Sequence, residues 1–285
     1  MSLPLSGSRW LAPVLAAPAA LLLAGGLVLP LAEMALISFF RYSTVSIWDP
    51  VFTLENYAQF LSGFNVAAGL RTLWISGVVT VLCLLIGYPF AIFLSRSESR
   101  LKPFYMFVLL SPLMMSSVVL VLGWNMIMAR QGPLSAMFAA IGFDGLNILY
   151  SKTAIIIALT ALQLPFMVMI LRNAVDRVPQ SVEEAAHILG AGRFMVFWRV
   201  TLPLTRSGLV SGTLLVYAMG LGSLVAPALL GGPRDMMIGN VIYESVMVSL
   251  NWPFAAAVSL ILLVTTLVLM IGYLATLRSS NGSNA

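Results

Sequence analysis

Few residues in this chain are equipped for chemistry. Asp and Glu total 10, Lys and Arg 15, and there is one histidine and one cysteine in 285 residues. His187 has no second imidazole with which to share a metal, and no nucleophile, base and orienting group occur together. The only lysines are Lys102 and Lys152, and neither follows a glycine. A G-x-x-x-x-G-K-[ST] phosphate cradle is therefore absent from this sequence, and no active site, metal or cofactor of its own is expected. Cys83 lies in an apolar run and is read as a packing residue. The densest ionisable cluster is Glu183, Glu184, His187, Arg193 and Arg199, set between two long hydrophobic runs. Charges at that density require water, so this segment is expected outside any bilayer.

The same segment has internal order. Ser181 followed three residues later by Glu184 is a capping-box pattern, with Pro179 just upstream. Val182, Ala185, Ala186 and Leu189 fall at i, i+3, i+4 and i+7, one stripe of a short helix. Two alanines at its centre would admit the backbone of another protein. Gly190 and Gly192 suit a helix stop and a redirection. Phe194, Phe197 and Trp198 form a second apolar stripe, and Pro203 suits the first turn of the next helix. The spacing predicts two short helices joined by a glycine bend.

The elements that must position this segment are membrane spans. The chain is 60% hydrophobic and 9% charged with mean hydropathy +0.99, against about 25% charged residues in a soluble domain. The expected fold is all-α, with six transmembrane helices at about 11–40, 72–95, 104–128, 153–171, 207–230 and 253–277. The charged loop covers 172–206, and a disordered tail is read over 279–285. A signal peptide is the rival reading of the first run, which is longer than the ~7–15 residues such a peptide needs. The stretch WDPVFTLENYAQF (residues 48–60) reads as a folded cap, with Thr53 and Glu55 near a helix start.

Six spans place both termini and the 172–206 loop on one side. That side holds ten of the fifteen Lys and Arg, so the positive-inside rule assigns it to the cytoplasm. The net charge of +5 is then loop asymmetry rather than a nucleic-acid surface.

An ionisable or polar group at membrane depth is a pathway candidate. Glu33 and Glu244 qualify, with an interfacial position as the alternative for Glu33. Trp124, Asn125, Tyr217 and Asn240 are further candidates for facing a cavity. Pro89, Pro112, Pro165 and Pro227 interrupt the spans, either as cavity-lining breaks or as tolerated packing residues. Gly208-x-x-x-Gly212 would permit a close helix crossing.

Glu184-Ala185-Ala186, three residues, Gly190, nine residues, Val200-Thr201-Leu202-Pro203 resembles the EAA loop of ABC importer permeases, E-A-A-x3-G-x9-I-x-L-P. Only Val200 in place of Ile departs from it. FTLENYAQF, GGPRDMMIGNVIYESV and NWPFAAAVS extend the resemblance over nearly the whole chain, to the spermidine/putrescine-type branch.

The resemblance implies a coupling helix seated on a separate ATPase, with Ser181, Glu184, Ala185, Ala186, His187, Gly190 and Pro203 as coupling residues. It implies a bacterial inner-membrane permease that pairs with a second, often non-identical permease over two ATPases, which hold ATP and magnesium. An extracytoplasmic binding protein delivers the solute, with a polyamine the best guess and an opine, phosphonate, iron or amino-acid-like solute as alternatives. An ion-coupled carrier would need acids and cations within several spans, and the deep spans hold almost none. A membrane docking subunit is the third reading.

Overall fold

A computed structural model describes residues 11–140, 142 and 148–282. The polar start at 1–10 and the last three residues of the expected tail lie outside the described residues. Helix predominates. Among the described residues three helices are long and apolar enough to cross a membrane, or four if one sharply bent pair counts as a single span.

The chain divides into two compact units. The first comprises residues 1–62 and 244–261. Its apolar helix α1 (Leu11–Ile37) leads into a hairpin of β1 (Phe40–Ser43) and β2 (Ile47–Phe52), followed by α2 (Glu55–Phe60). The cap expected at residues 48–60 is therefore folded, but its first part is strand, a local exception to an all-helical chain.

The stretch Glu55-Asn56-Tyr57 explains why the hairpin holds. Buried Asn56 donates through Nδ2 to the carbonyls of Ser38 and Phe40, both at 2.9 Å. The Tyr57 hydroxyl meets Ser38 Oγ at 2.8 Å, and its ring packs on Phe39. Those two side chains satisfy the groups left unpaired where α1 gives way to strand. In the same unit Tyr42 donates to the Ser249 carbonyl (3.0 Å), Trp48 packs on Trp252, and Asn251 Oδ1 accepts the Phe254 N–H (3.1 Å). Asn251 thus caps the final helix, where N-caps favour such side chains.

The second unit, residues 63–243 and 262–285, holds the helical core. It contains α3 (Gly63–Arg96), α4 (Lys102–Leu110), α5 (Ser117–Met128), α6 (Pro133–Ala140), α7 (Lys152–Asp176), α8 (Gln180–Ile188), α9 (Arg193–Val196), α10 (Leu202–Leu204), α11 (Arg206–Leu221) and α12 (Val225–Leu230). Helices α13 (Ile238–Met247) and α14 (Trp252–Gly282) each begin in one unit and run into the other. The long α14 carries helix to Gly282, so residues 279–282, read as part of a tail, are helical.

Two expected spans are broken. The run expected as one helix over 104–128 bends by 107° between Lys102–Met114 and Ser117–Ala140. Pro112 lies in a 3-10 turn over Ser111–Met114, and Met115 is extended (ψ 151°), which ends the helix. The run expected over 207–230 stops at Gly222 and restarts at Val225.

The core of this unit is α3, α7 and α11, packed through Ile75, Val79, Ala158, Met167, Leu171 and Val216, all fully buried. Glycines let the backbones meet. A Cβ on Gly208 would lie 2.3 Å from Ala174 Cβ, one on Gly212 2.9 Å from Met167 Sδ, and one on Gly220 2.9 Å from Ser76. The close crossing expected from Gly208-x-x-x-Gly212 is thus made, between α11 and α7. Gln163, buried on α7, locks the same interface. With its amide turned to satisfy both groups, it donates to the Val216 carbonyl (3.1 Å) and accepts the Gly220 N–H (3.3 Å). Those are the two groups an uninterrupted helical turn would pair with each other.

Candidate functional site

The charged segment between α7 and α11 is a short helix held at its base and open on its outer side. It begins one residue before the expected cap. Pro179 occupies the N-cap in extended conformation (φ −61°, ψ 132°), and no side chain closes the cap. Ser181 therefore lies inside the first turn, and the expected Ser181–Glu184 box does not form. Proline explains the shift, because its ring presets φ and starts the helix directly after it. Ser181, Glu184, Ala185 and His187 are exposed, and Ala186 is half-buried.

The stop is a Schellman motif. Gly190 has φ +86°, its N–H reaches the His187 carbonyl (2.9 Å), and the Ala191 N–H reaches the Ala186 carbonyl (3.0 Å). Two carbonyls orphaned at the helix end are thereby satisfied, and a left-handed residue there favours glycine. His187 reinforces the turn, its Nδ1–H donating to the Ala191 carbonyl at 2.9 Å. That bond fixes the tautomer, since a carbonyl only accepts.

The residue that anchors the helix is Glu183, which the sequence pattern leaves unremarked beside Glu184. Its Oε1 pairs with Arg96 at 3.0 Å and accepts the Thr201 hydroxyl at 3.1 Å. The side chains of Arg96 and Glu183 are only 20% and 19% exposed. Arg96 also donates to the Val178 carbonyl (2.9 Å) and the Val175 carbonyl (3.4 Å), where a cation suits the negative end of α7. One guanidinium thus ties the end of α3, the end of α7 and α8 together. The only sequence signal for it is a basic residue in the last turn of α3.

Beyond the bend, the expected second stripe divides. Phe197–Thr201 is a π-helical turn, and the widened turn rotates Phe197 inward, edge-on to Tyr88 with centroids 5.3 Å apart. Phe194 and Trp198 stay outside, packed against each other. Pro203 sits in the first turn of α10, as its type favours, and Thr205 closes the junction. The buried Thr205 hydroxyl meets Tyr88 OH and donates to the Thr201 carbonyl (2.8 Å).

The outer side of this segment is strongly apolar for an exposed surface. Ile188 is 87% exposed, Leu189 88% and Phe194 77%, with Val182 and Trp198 also open. The anchored rod therefore carries an exposed apolar surface.

The pathway candidates do not form one site. Asn125 on α5 donates to the Leu229 carbonyl at 3.1 Å. Asn240, nearly buried, accepts the Met237 N–H (3.2 Å) and donates to the Leu224 carbonyl (3.4 Å). Asn125 thus holds backbone of α12, and Asn240 holds backbone at the α11–α12 break. A Cβ at neighbouring Gly239 would lie 2.7 Å from the Ser223 carbonyl oxygen, so the Ile238-Gly239-Asn240 stretch is a backbone-to-backbone seat. Trp124 and Tyr217 are half-buried, while Glu33 and Glu244 are exposed. None of the six lines the two cavities found along α7 and α11, which are lined by residues of 112–223.

Residues 84–278 match the family model for the binding-protein-dependent transport system inner membrane component. The chain belongs to that family. Similar proteins include the spermidine/putrescine transport system permease protein PotB of Haemophilus influenzae, 34% identical over 83% of this chain and 84% of that protein. PotB of Escherichia coli K12 is 32% identical over 83% and 86%. Among solved structures, a bacterial ABC transporter involved in alginate import has a TM-score of 0.73 at 19% identity, over 95% of this chain and 96% of that one. A bacterial alginate ABC transporter in complex with an alginate pentasaccharide-bound periplasmic protein gives 0.76 at 18% identity over 93% and 92%. This chain is accordingly a membrane permease subunit of the ABC importer class, and the EAA-loop resemblance is borne out at the level of family.

Proposed function

We propose that α8 is the coupling helix of this permease and that it docks its open apolar side onto a partner ATPase. The observation that carries this reading is the combination of an anchored base and an uncovered face. Arg96 and Glu183 make α8 rigid with the ends of α3 and α7, so a push on Ile188, Leu189 and Phe194 moves spans rather than bending a loop. Ala185 and Ala186 let the partner approach closely, and Gly190 holds the bend. ATP and magnesium belong to that partner, and alternating access follows by rocking of packed bundles. The loop faces the cytoplasm, as the ten-to-five distribution of Lys and Arg favours.

A second permease completes the pathway, and an extracytoplasmic binding protein supplies the solute, a delivery that the dependence on a binding protein in the family's description supports. The solute is a spermidine- or putrescine-like polyamine, a reading supported by the names of the 32–34% identical relatives.

Ala186→Arg and Gly190→Pro test the coupling role. Proline holds φ near −65°, so it is incompatible with the +86° found at Gly190. Both variants should reach the membrane at parental levels and lose ATP-driven uptake while the partner still hydrolyses ATP. Parental uptake by Ala186→Arg would refute the docking.

A further inference from the structure

A third cavity, about 570 Å³, opens on a different side of α7. Ala161 and Pro165, one turn apart on α7, line it, whereas Gln163, Met167 and Ala174 face α11. Ile86 and Phe90 of α3 and Phe104 and Val108 of α4 supply further walls, and Tyr105 is the only lining residue with a polar group. Pro112 alone is shared with the cavities along α7 and α11. The aromatic wall is continuous, from Phe90 to Phe93, Phe93 to Tyr105 and Tyr105 to Phe104, with centroids 6.2, 5.5 and 6.2 Å apart. Ile86, Phe104 and Val108 are each about half exposed, so the cavity opens at the surface of this unit.

One end of this seam carries cations. Arg172 follows Pro165 by two turns, about 10 Å along the same face of α7. Its Nη1 donates to the Met106 thioether of α4 at 3.3 Å, a weak acceptor. Its Nε lies 3.4 Å from Asp176 Oδ2 but, among the described residues, is buried without a hydrogen bond. Lys102 precedes Met106 by one turn of α4, and exposed Arg100 precedes Lys102 in the loop. The acids of these two segments are Glu98 and Asp176, and Asp176 is already engaged by Arg172 and Ser95. A mostly buried guanidinium left with a thioether and an off-line carboxylate retains donors for a phosphate.

We propose that this cavity holds an acyl chain of an anionic phospholipid, with the lipid phosphate at Arg172 and Lys102. A methylene chain suits walls that offer almost no partner to a polar solute, since an unpaired polar group there would go unsatisfied. The cationic rim complements an anionic headgroup, and basic pockets between spans take such headgroups. The rim lies on the side of the 96–102 loop, which the distribution of Lys and Arg assigns to the cytoplasm. Only that choice of leaflet is shared with the importer reading. A seated chain braces α4 against α7 beside the break that begins at Pro112.

Photolabelling tests the site in the complete transporter, reconstituted in phosphatidylcholine vesicles that contain a phosphatidylglycerol with a diazirine on its acyl chain. Cross-linked residues are mapped by peptide mass spectrometry. Labels should concentrate on Phe90, Phe104 and Val108 and spare Phe107, which is 71% exposed on α4 but does not line the cavity. Unlabelled phosphatidylglycerol should compete, and phosphatidylcholine should not. Lys102→Gln should weaken that competition about fivefold, and Arg172→Gln by at least as much. Val108→Trp fills the cavity and should abolish the label at Phe90. Lys102 is only half-buried at the start of α4, so its variant keeps the test independent of any loss of fold in Val108→Trp.

Labels spread equally over Phe104 and Phe107 would overturn a defined site. Equal competition by phosphatidylcholine, or unchanged competition in both Lys102→Gln and Arg172→Gln, would overturn the anionic headgroup. Inorganic phosphate that displaces the label as well as phosphatidylglycerol does would give the cations to a soluble anion. Labels present on the isolated chain but lost in the complete transporter would give the face to a neighbouring subunit, and either result overturns the lipid. Because the readout is labelling, a transporter that labels as expected yet takes up no solute with ATP refutes the importer reading and supports this site.

Discussion

Adding one methyl group at Gly208 should cost more than any other glycine-to-alanine change in the spans. The new Cβ would lie 2.3 Å from Ala174 Cβ, whereas carbon atoms rest at about 3.5–4.0 Å. Neither methyl has a rotamer with which to escape, so α7 and α11 must part by more than about 1 Å at their crossing. Overpacking of that kind costs about 1–3 kcal/mol. The same substitution at Gly77, where a Cβ would meet nothing within 4 Å, carries only the gain of alanine over glycine in a helix, about 1 kcal/mol. Alanine's helix gain applies at both sites and cancels, so the two variants should differ by the overpacking alone, about 1–3 kcal/mol. Gly212→Ala falls between them, because its clash is with the flexible Met167 thioether.

The assay is reversible unfolding of the purified protein in mixed micelles, followed by circular dichroism, with uptake measured in parallel. Ala174→Gly removes the opposing methyl and should restore Gly208→Ala, giving a coupling energy in a double-mutant cycle. Equal stability of Gly208→Ala and Gly77→Ala, or no rescue by Ala174→Gly, would refute the packing argument.

Two further perturbations address the anchor and the hairpin. Glu183→Ala removes an ion pair and an accepted hydroxyl bond at a mostly buried position, a loss of about 2 kcal/mol. It should lower uptake more than ATP hydrolysis, and the exchange Arg96→Glu with Glu183→Arg should recover part of the coupling; equal loss of both activities would count against an anchoring role. Asn56→Ala leaves the Ser38 and Phe40 carbonyls without their donor, about 1–3 kcal/mol. Limited proteolysis should then cut within residues 40–52 at least several-fold faster, and an unchanged rate would show that Asn56 is not the pin.

The sequence by itself determined the class of this molecule. Long apolar runs admit helices and little else, because lipid offers no partner for an open backbone. The motif from Glu184 to Pro203 marked a segment that had to be wet, and Gly190 announced a helix stop that the structure places at φ +86°. Gly208 and Gly212 announced a close crossing, since small residues at that spacing share one helix face.

What the linear pattern left hidden depends on groups far apart in the chain. Glu183 and Glu184 are adjacent and chemically alike, and only the arrival of Arg96 at 3.0 Å distinguishes the anchor from the free acid. Asn56, Asn125 and Asn240 look alike as polar residues in or near spans, yet each is spent on backbone carbonyls of another segment. The break at Met115 and the π-helical turn at Phe197 were equally hidden, because hydrophobic periodicity reports composition and not where a ladder of hydrogen bonds gives way. Tertiary structure alone decided which polar groups hold the backbone of another segment and which stay exposed. A polar side chain inside a bilayer must bond to something, and the sequence does not say what lies within reach.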